Sequence, residues 1–179
     1  MIQVSEIFTT APETFKTPLQ QKVYETLTDL RIPFERVDTD EVITMEDCAV
    51  VNDKLQMDMV KTLFLCDRKK TDFYIFVTRG DKPFRSSDFS HTLSVSRVSF
   101  APSDLMESML GTTIGAATIF SVLLDSAKNV RLVIDRDVYT SDYYGCSDGT
   151  TTGYMKIPTD KVMYDLLDFV GIRPSVIEL

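Results

Sequence analysis

Residues whose types and spacing suit chemistry are concentrated in Leu110-Gly111-Thr112-Thr113-Ile114-Gly115-Ala116-Ala117-Thr118-Ile119-Phe120. Two glycines and a run of small residues follow a helical pattern there, so backbone can come close to a ligand. Glycine tolerates positive φ and carries no Cβ, which lets such a loop aim amide N–H groups at a carbonyl or phosphate oxygen. A packing explanation stands beside this one, with Gly111 as the C-cap of the preceding helix and Gly115 as a packing residue.

Other reactive residue types are sparse. His91 is the only histidine, so a His-based triad would have to use it, and its setting in Ser90-His91-Thr92 reads as an exposed helix. Cys146 lies in a Gly-rich turn with no histidine near it in sequence to activate a thiolate. Asp135, Asp137, Asp142 and Asp148 form a loose acidic set after a strand, without calcium-loop spacing, and read as solvated. No metal or cofactor site is expected. Cys48, Cys66 and Cys146 are an odd number without CxxC spacing, and the amino terminus lacks a basic region followed by an apolar one. The expectation is a reduced, cytoplasmic protein.

Nineteen basic against 27 acidic residues give a net charge of −8, which argues against indiscriminate binding to DNA or to an anionic membrane. The longest apolar stretch, residues 114 to 124, is shorter than the ~20 residues a membrane helix needs. Lys61, Arg68, Lys69, Lys70, Arg79, Lys82 and Arg85 concentrate between positions 61 and 85, either as a local RNA-binding rim or as a solvated charged face. With 44% hydrophobic and 26% charged residues in 179, a single domain over residues 1–179 is expected. Nothing in the sequence signals an oligomeric state.

The elements that must position the loop are legible as patterns. Thr17-Pro18-Leu19-Gln20 has capping-box form and opens a helix to about Leu30, with Leu19, Val23, Leu27 and Leu30 on one face. Pro33 precedes a short strand at Phe34–Asp38, and Thr44 caps a helix to Asn52. Lys61–Cys66 and Phe73–Thr78 predict a central hairpin buried on both faces. A helix from Asp88, a strand near Arg97–Phe100, a helix from Ser103 to Leu110 and a strand at Val130–Asp135 follow. Tyr139–Thr152 reads as polar and turn-rich. Met155–Ile157 returns to the sheet, Thr159 caps a final helix ending at Gly171, and Ser175–Leu179 is a strand or extended tail. Strands and helices without regular βαβ spacing imply an α/β fold with a mixed sheet or barrel covered by helices.

The order of four segments resembles the YbaK and prolyl-tRNA-synthetase editing-domain family of free-standing aminoacyl-tRNA deacylases. Val60-Lys61-Thr62-Leu63-Phe64-Leu65-Cys66-Asp67 is similar to the family's Lys-Asn-Leu-Phe-Leu strand. Val98-Ser99-Phe100-Ala101 precedes a helix ending at Leu110-Gly111. Thr113-Ile114-Gly115-Ala116-Ala117-Thr118-Ile119-Phe120 resembles the Thr-Pro-Gly-x-Val-Thr-Pro-Phe loop. Thr151-Thr152-Gly153-Tyr154-Met155-Lys156-Ile157 and the following helix resemble the Asn-Thr segment and terminal helix.

The resemblance implies a mixed-sheet pseudo-barrel covered by helices and hydrolysis of the ester joining a wrong amino acid, commonly alanine, to tRNA, chiefly tRNA for proline. An ester has a reasonable leaving group, so orienting water and stabilising the oxyanion suffices, with no triad and no cofactor. Lys61 and Gly115 would be the catalytic residues, the ammonium supplying positive charge and the glycine loop its amides. Thr62, Gly111, Ala116, Ala117, Thr118, Ser147, Thr151 and Thr152 would line the substrate. Read without the family, Lys61 is an edge-strand lysine that discourages aggregation. The implied partners are the tRNA acceptor end and a synthetase. Thr62 replaces the family Asn, Ile114 and Ile119 replace Pro, and Ser147-Asp148 stands where His-Pro is expected, with Thr151 in place of Asn. The alternative from another class is a catalytically weakened binding module that senses aminoacyl-tRNA or an amino-acid-like ligand.

Overall fold

A computed structural model describes residues 1–179. Helix α1, Pro18–Asp29, starts where the Thr17 hydroxyl accepts the Gln20 amide at 3.0 Å. The reciprocal half of the expected capping box is displaced by one residue. Gln20 Oε1 accepts from the Lys16 amide at 2.6 Å, one position before the cap. Leu19, Val23 and Leu27 are buried as the periodicity requires, and so are the polar Gln20 and Tyr24.

Strand β1, Glu35–Asp38, leads to α2, Met45–Leu55, whose capping box between Thr44 and Asp47 is complete. The hairpin forms as β2, Val60–Asp67, and β3, Phe73–Arg79, with Lys61 opposite Thr78. After α3, Ser86–Leu93, and β4, Val98–Phe100, comes α4, Ser103–Leu105, which widens into π-helical turns over Met106–Leu110. A 3-10 turn at Ile119–Leu123 feeds β5, Val130–Asp135, and the short α5, Arg136–Tyr139. Strands β6, Tyr143–Ser147, and β7, Gly153–Pro158, follow. The last helix, α6, is π-helical over Lys161–Leu166 and α-helical over Leu167–Val170, and β8 is Ser175–Ile177.

The strands make two sheets, a five-stranded one in the order β4-β2-β3-β5-β8 and a three-stranded one in the order β1-β7-β6. The first is mixed: β2 runs antiparallel to β3 and β4, while β3, β5 and β8 are parallel. A single parallel bridge, Met59 to Gly145, joins the sheets. They are therefore not closed into a barrel, and the fold is a mixed α/β one in layers. The main core of 27 buried residues combines Phe64, Ile75, Leu132, Tyr144 and Met155 with Leu19 of α1 and Leu166 of α6, so it lies between the sheets and these helices. A second cluster on the other face of the larger sheet packs Leu65, Tyr74 and Phe76 against Phe89 of α3. The third packs Val37 and Tyr154 against Val51 and Leu55 of α2.

Three sequence expectations are corrected. Tyr143–Ser147 is a buried strand rather than a turn, because pairing with β7 satisfies its backbone despite its polar composition. Thr159 does not cap the final helix. Its hydroxyl meets Ser141 Oγ at 3.2 Å, and Asp160 takes the Lys161 amide instead. The basic residues do not form one rim, since Arg68–Lys70 sit at the hairpin turn while Lys61 and Arg79 sit at its open end. Six residue steps separate the ends, roughly 20 Å at ~3.3 Å per residue. No helix is long and apolar enough to cross a membrane.

Candidate functional site

Gly111 and Gly115 prove different in kind. Gly111, at φ +67°, ends the π turns by donating its amide to Glu107, and a Cβ there would lie 2.9 Å from Leu124 Cδ1. That is a cap under packing constraint. Gly115, at φ +87°, is exposed, and the nearest atom to an added Cβ would be Thr151 Cγ2 at 3.7 Å. The glycine loop and the Thr151 turn are thus brought together although 36 residues separate the two positions. The Ala116 amide is already used on the Thr113 carbonyl at 3.1 Å, whereas the amides of Gly115, Ala117 and Thr118 donate to no acceptor within the chain.

The turn after β6 is held by one carboxylate. Asp148 is 1% exposed, which corrects its reading as a solvated acid. Its Oδ2 accepts from Tyr24 Oη at 2.8 Å and Gln20 Nε2 at 2.9 Å, and its Oδ1 accepts from the Thr150 hydroxyl at 2.7 Å and the Thr150 amide at 3.1 Å. A Cβ at Gly153 would fall 2.1 Å from the same carboxylate, so only glycine fits there. Ser147 donates its hydroxyl to the Thr150 carbonyl at 2.6 Å and accepts the Gly149 amide at 3.0 Å. Thr118, fully buried, donates to the Ser147 carbonyl at 2.9 Å and so ties the glycine loop to this turn. Both hydroxyls thereby brace the site from behind. Thr151 and Thr152 are half-buried at its front, and Thr152 Oγ1 accepts from Lys16 Nζ at 2.5 Å.

Lys61 lies elsewhere. Side chains alternate along β2, so Lys61 shares the face of Leu63 and Leu65, which pack toward α3, whereas Thr62 and Phe64 face the main core. The Lys61 ammonium donates to the Lys82 carbonyl. Lys82 Nζ in turn reaches Asp135 at 2.8 Å and Asp137 at 3.1 Å, and Thr78 donates to Asp135 at 2.9 Å. Asp135 is 0% exposed, again not a solvated acid. Burial would depress the Lys82 ammonium, but its hydrogen bonds to the two carboxylates outweigh this and raise its pKa. The structure thus gathers Gly115, Ala116, Ala117, Thr118, Ser147, Thr151 and Thr152, and leaves Lys61 across the sheet.

Thr62 borders the buried Tyr144, whose hydroxyl has no hydrogen-bond partner, as is also true of Thr112 Oγ1. Burial drives the Tyr144 phenol and the Cys146 thiol well above their ordinary values, Asp148 adding to the effect on Cys146, so this cysteine is an inert thiol. The missed residues are Gln20, Tyr24 and Lys16. Their signal was present, because Gln20 and Tyr24 sit four apart on the apolar stripe of α1, where a polar side chain needs a buried partner.

Residues 39–163 match the aminoacyl-tRNA editing domain family. The chain belongs to that family. Among its relatives, the prolyl-tRNA editing protein ProX of Acetoanaerobium sticklandii is 29% identical over 119 residues, 66% of this chain and 73% of that protein. The prolyl-tRNA synthetase associated domain-containing protein 1 of Danio rerio is 28% identical over 120 residues, 67% of this chain and 65% of that one, so the chain spans just under two thirds of it. Several solved structures share the fold. Hypothetical protein APE2540 superposes with a TM-score of 0.67 at 18% identity, covering 88% of this chain and 97% of the other. A structure described as a “putative trans-editing enzyme for prolyl tRNA synthetase” gives 0.65 at 15% identity, covering 92% and 98%. The editing-domain family match spans β2, the glycine loop and the segment of residues 151–157, which carried the resemblance in sequence, and also the Asp148 turn, where the chain departs from the family pattern.

Proposed function

We propose that this editing domain is a trans-acting deacylase, hydrolysing the ester between tRNA and a wrong small amino acid, with alanine on tRNA for proline as the favoured substrate. The carrying observation is the meeting of Gly115 with Thr151 in front of the Asp148 turn. Water adds to the ester carbonyl carbon, the bond to the ribose oxygen breaks, and that oxygen takes a proton from the water to become the ribose hydroxyl as the amino acid leaves. Free amides of the glycine loop stabilise the oxyanion, and the Thr151 and Thr152 hydroxyls hold water or the ribose. No histidine takes part, since Ser147-Asp148 braces the turn where His-Pro is expected. Lys61, on the other face of the sheet and bonded to the Lys82 carbonyl, is left out of this site. Cytoplasmic tRNA and a synthetase are the partners in this reading.

The test is a deacylation assay over a panel of mischarged tRNAs. Release of amino acid from alanyl-tRNA for proline, above the uncatalysed rate, supports the proposal. Binding without release from any member replaces it with the binding-module reading. In the same assay Lys61→Ala leaves turnover and the melting temperature nearly unchanged, and abolished turnover in a folded variant would bring Lys61 into the site.

A further inference from the structure

A cavity of about 450 Å³ lies beside the site, walled among others by Phe8, Thr10, Lys16, Gln20, Arg36 and Asp38. All six precede the family-matched residues 39–163. The segment before α1 closes it by bridging to β1, with Phe8 and Arg36 exchanging backbone hydrogen bonds at 2.9 and 2.8 Å. Arg36 is 5% exposed, and its guanidinium is 4.7 Å from the Phe8 ring centroid and 5.8 Å from that of Tyr24. Its Nε donates to the Thr10 carbonyl at 2.6 Å and Nη1 to Asp38 at 3.0 Å, while Nη2 has no partner in the chain. A buried fork with one free arm beside a cavity suits an anion that accepts two hydrogen bonds.

Two connections tie the cavity to the candidate site. Lys16 Nζ, at its rim, bonds Thr152 and has donors to spare. Gln20 bonds Asp148. Along β1, Arg36 is three residues from Thr39, whose amide donates to the Thr152 carbonyl at 2.9 Å, a span of about 10 Å. The chain as a whole carries −8 and repels nucleic acid, so the few cations near the site must hold the acceptor strand. Arg36 is itself paired with Asp38, and Glu13 also lines the cavity, but the Nη2 arm of Arg36 stays free there, whereas Lys82 and Arg79 hold Asp135, Asp137 and Asp81 at the hairpin's open end and Arg68–Lys70 are at the far turn.

We infer that Arg36 and Lys16 form a binding site for a backbone phosphate of the tRNA acceptor strand, which sets how far the terminal adenosine reaches toward Gly115. This rests on the deacylase reading for the identity of the ligand. The test is binding of a fluorescent acceptor-stem minihelix ending in CCA, followed against salt. Lys16→Gln, on an exposed position, weakens binding about five- to tenfold at low salt and lowers the slope of log K against log salt by about 0.7–0.9, one phosphate contact. Arg36→Lys keeps the charge and weakens binding with little change in slope, because the fork is lost. Lys69→Gln, at the hairpin turn, changes neither. Wild-type binding and slope in folded Lys16→Gln and Arg36→Lys overturn the inference. Turnover is not the readout. Deacylation with these variants binding like wild type sinks the phosphate site alone, and binding as described without hydrolysis sinks the deacylase reading alone.

Discussion

Of the three buried aspartates, Asp67, Asp135 and Asp148, the two with the least exposure are neutralised in opposite ways. Asp148 is surrounded by neutral donors, the Tyr24 hydroxyl, the Gln20 amide and the Thr150 hydroxyl and backbone. Asp135 has a cation, Lys82, together with the Thr78 hydroxyl. A buried carboxylate is tolerated when every lone pair is satisfied, but removal of it leaves different debris. Around Asp148 the abandoned donors are buried and cannot turn to water. Lys82 is 23% exposed and keeps Asp137. The neutral cage therefore fixes a rigid turn, which is what a site needs, and the ion pair is a tie between β3 and β5 that also occupies Lys61 through the Lys82 carbonyl.

The largest expected effect tests this directly. Asp148→Ala leaves at least three buried donors unpaired at about 1–3 kcal/mol each, so a loss of about 3 kcal/mol or more, and a melting temperature lower by roughly 6 °C or more, is expected. Asp135→Ala costs less. Thermal melts of the two variants in which Asp135→Ala is the less stable would reverse the comparison.

Next in size is the separation of support from chemistry within the glycine loop. Gly115→Val adds a branched side chain at φ +87° on the face turned to Thr151, and displacing the reacting centre by ~1 Å can cost 10²-fold in rate. Valine at φ +87° is strained whatever the space around it, so the variant's melting temperature falls as well, and the rate is read on the folded protein. In Gly111→Ala, at φ +67°, the added Cβ also meets Leu124. It lowers stability and spares more of the rate. Side-by-side melts and single-turnover rates check the pair, and the reverse ranking in rate would make Gly111 the functional glycine.

A smaller effect appears in alkali. Burial, and then the Asp148 charge, raise the Tyr24 phenol above its ordinary 10.0. The folded chain therefore keeps a proton that the unfolded chain releases, so this contribution is full below pH ~10 and lost as pH rises beyond it. Lys82 adds to the same alkaline fall, since its raised ammonium also holds its proton in the fold. In urea unfolding above pH ~10, Tyr24→Phe removes one proton's share, about 1.4 kcal/mol per pH unit. An alkaline limb as steep in Tyr24→Phe as in wild type contradicts a proton held at Asp148.

Much of the fold was legible because it follows local periodicity. The buried stripe of α1, the hairpin of β2 and β3, the apolar run of β5 and the inward residues of α6 stand where the patterns put them. Strand β6 was not legible, because Gly145, Cys146 and Ser147 resemble a turn until β7 and Met59 pair with them. Gly145 itself is a sign of close approach, with Met57 Sδ 2.7 Å from where its Cβ would be. The loop stood out by its residue types, whereas its threonines entered through the family resemblance. The face taken by Lys61 follows from alternation along β2, but which face the glycine loop covers depends on how the chain returns after α4. Asp148 was misread as solvated for the same reason: its partners lie 124 and 128 residues away, beyond any local pattern.

The smallest expected effect concerns His91, and its value lies in being nil. The residue is exposed in α3, the helix packed on the face of the larger sheet opposite the main core. The glycine loop and the Asp148 turn border that main core, together with Thr118 and Tyr144. A side chain on α3 would have to pass through the sheet to reach an ester held by Gly115. Histidine is the side chain whose ordinary titration falls nearest neutrality, so a mechanism without it shows no inflection in rate near pH ~6.5. His91→Ala leaves deacylation and stability as they are, since an exposed substitution away from special features changes stability by less than ~0.5 kcal/mol. A folded His91→Ala protein that loses roughly 10²-fold in rate, the scale for a missing general acid or base, would place the reacting centre on the Asp135 side of the sheet. Lys61 and Lys82 would then be its neighbours, and the Asp148 turn would be a support of the fold alone.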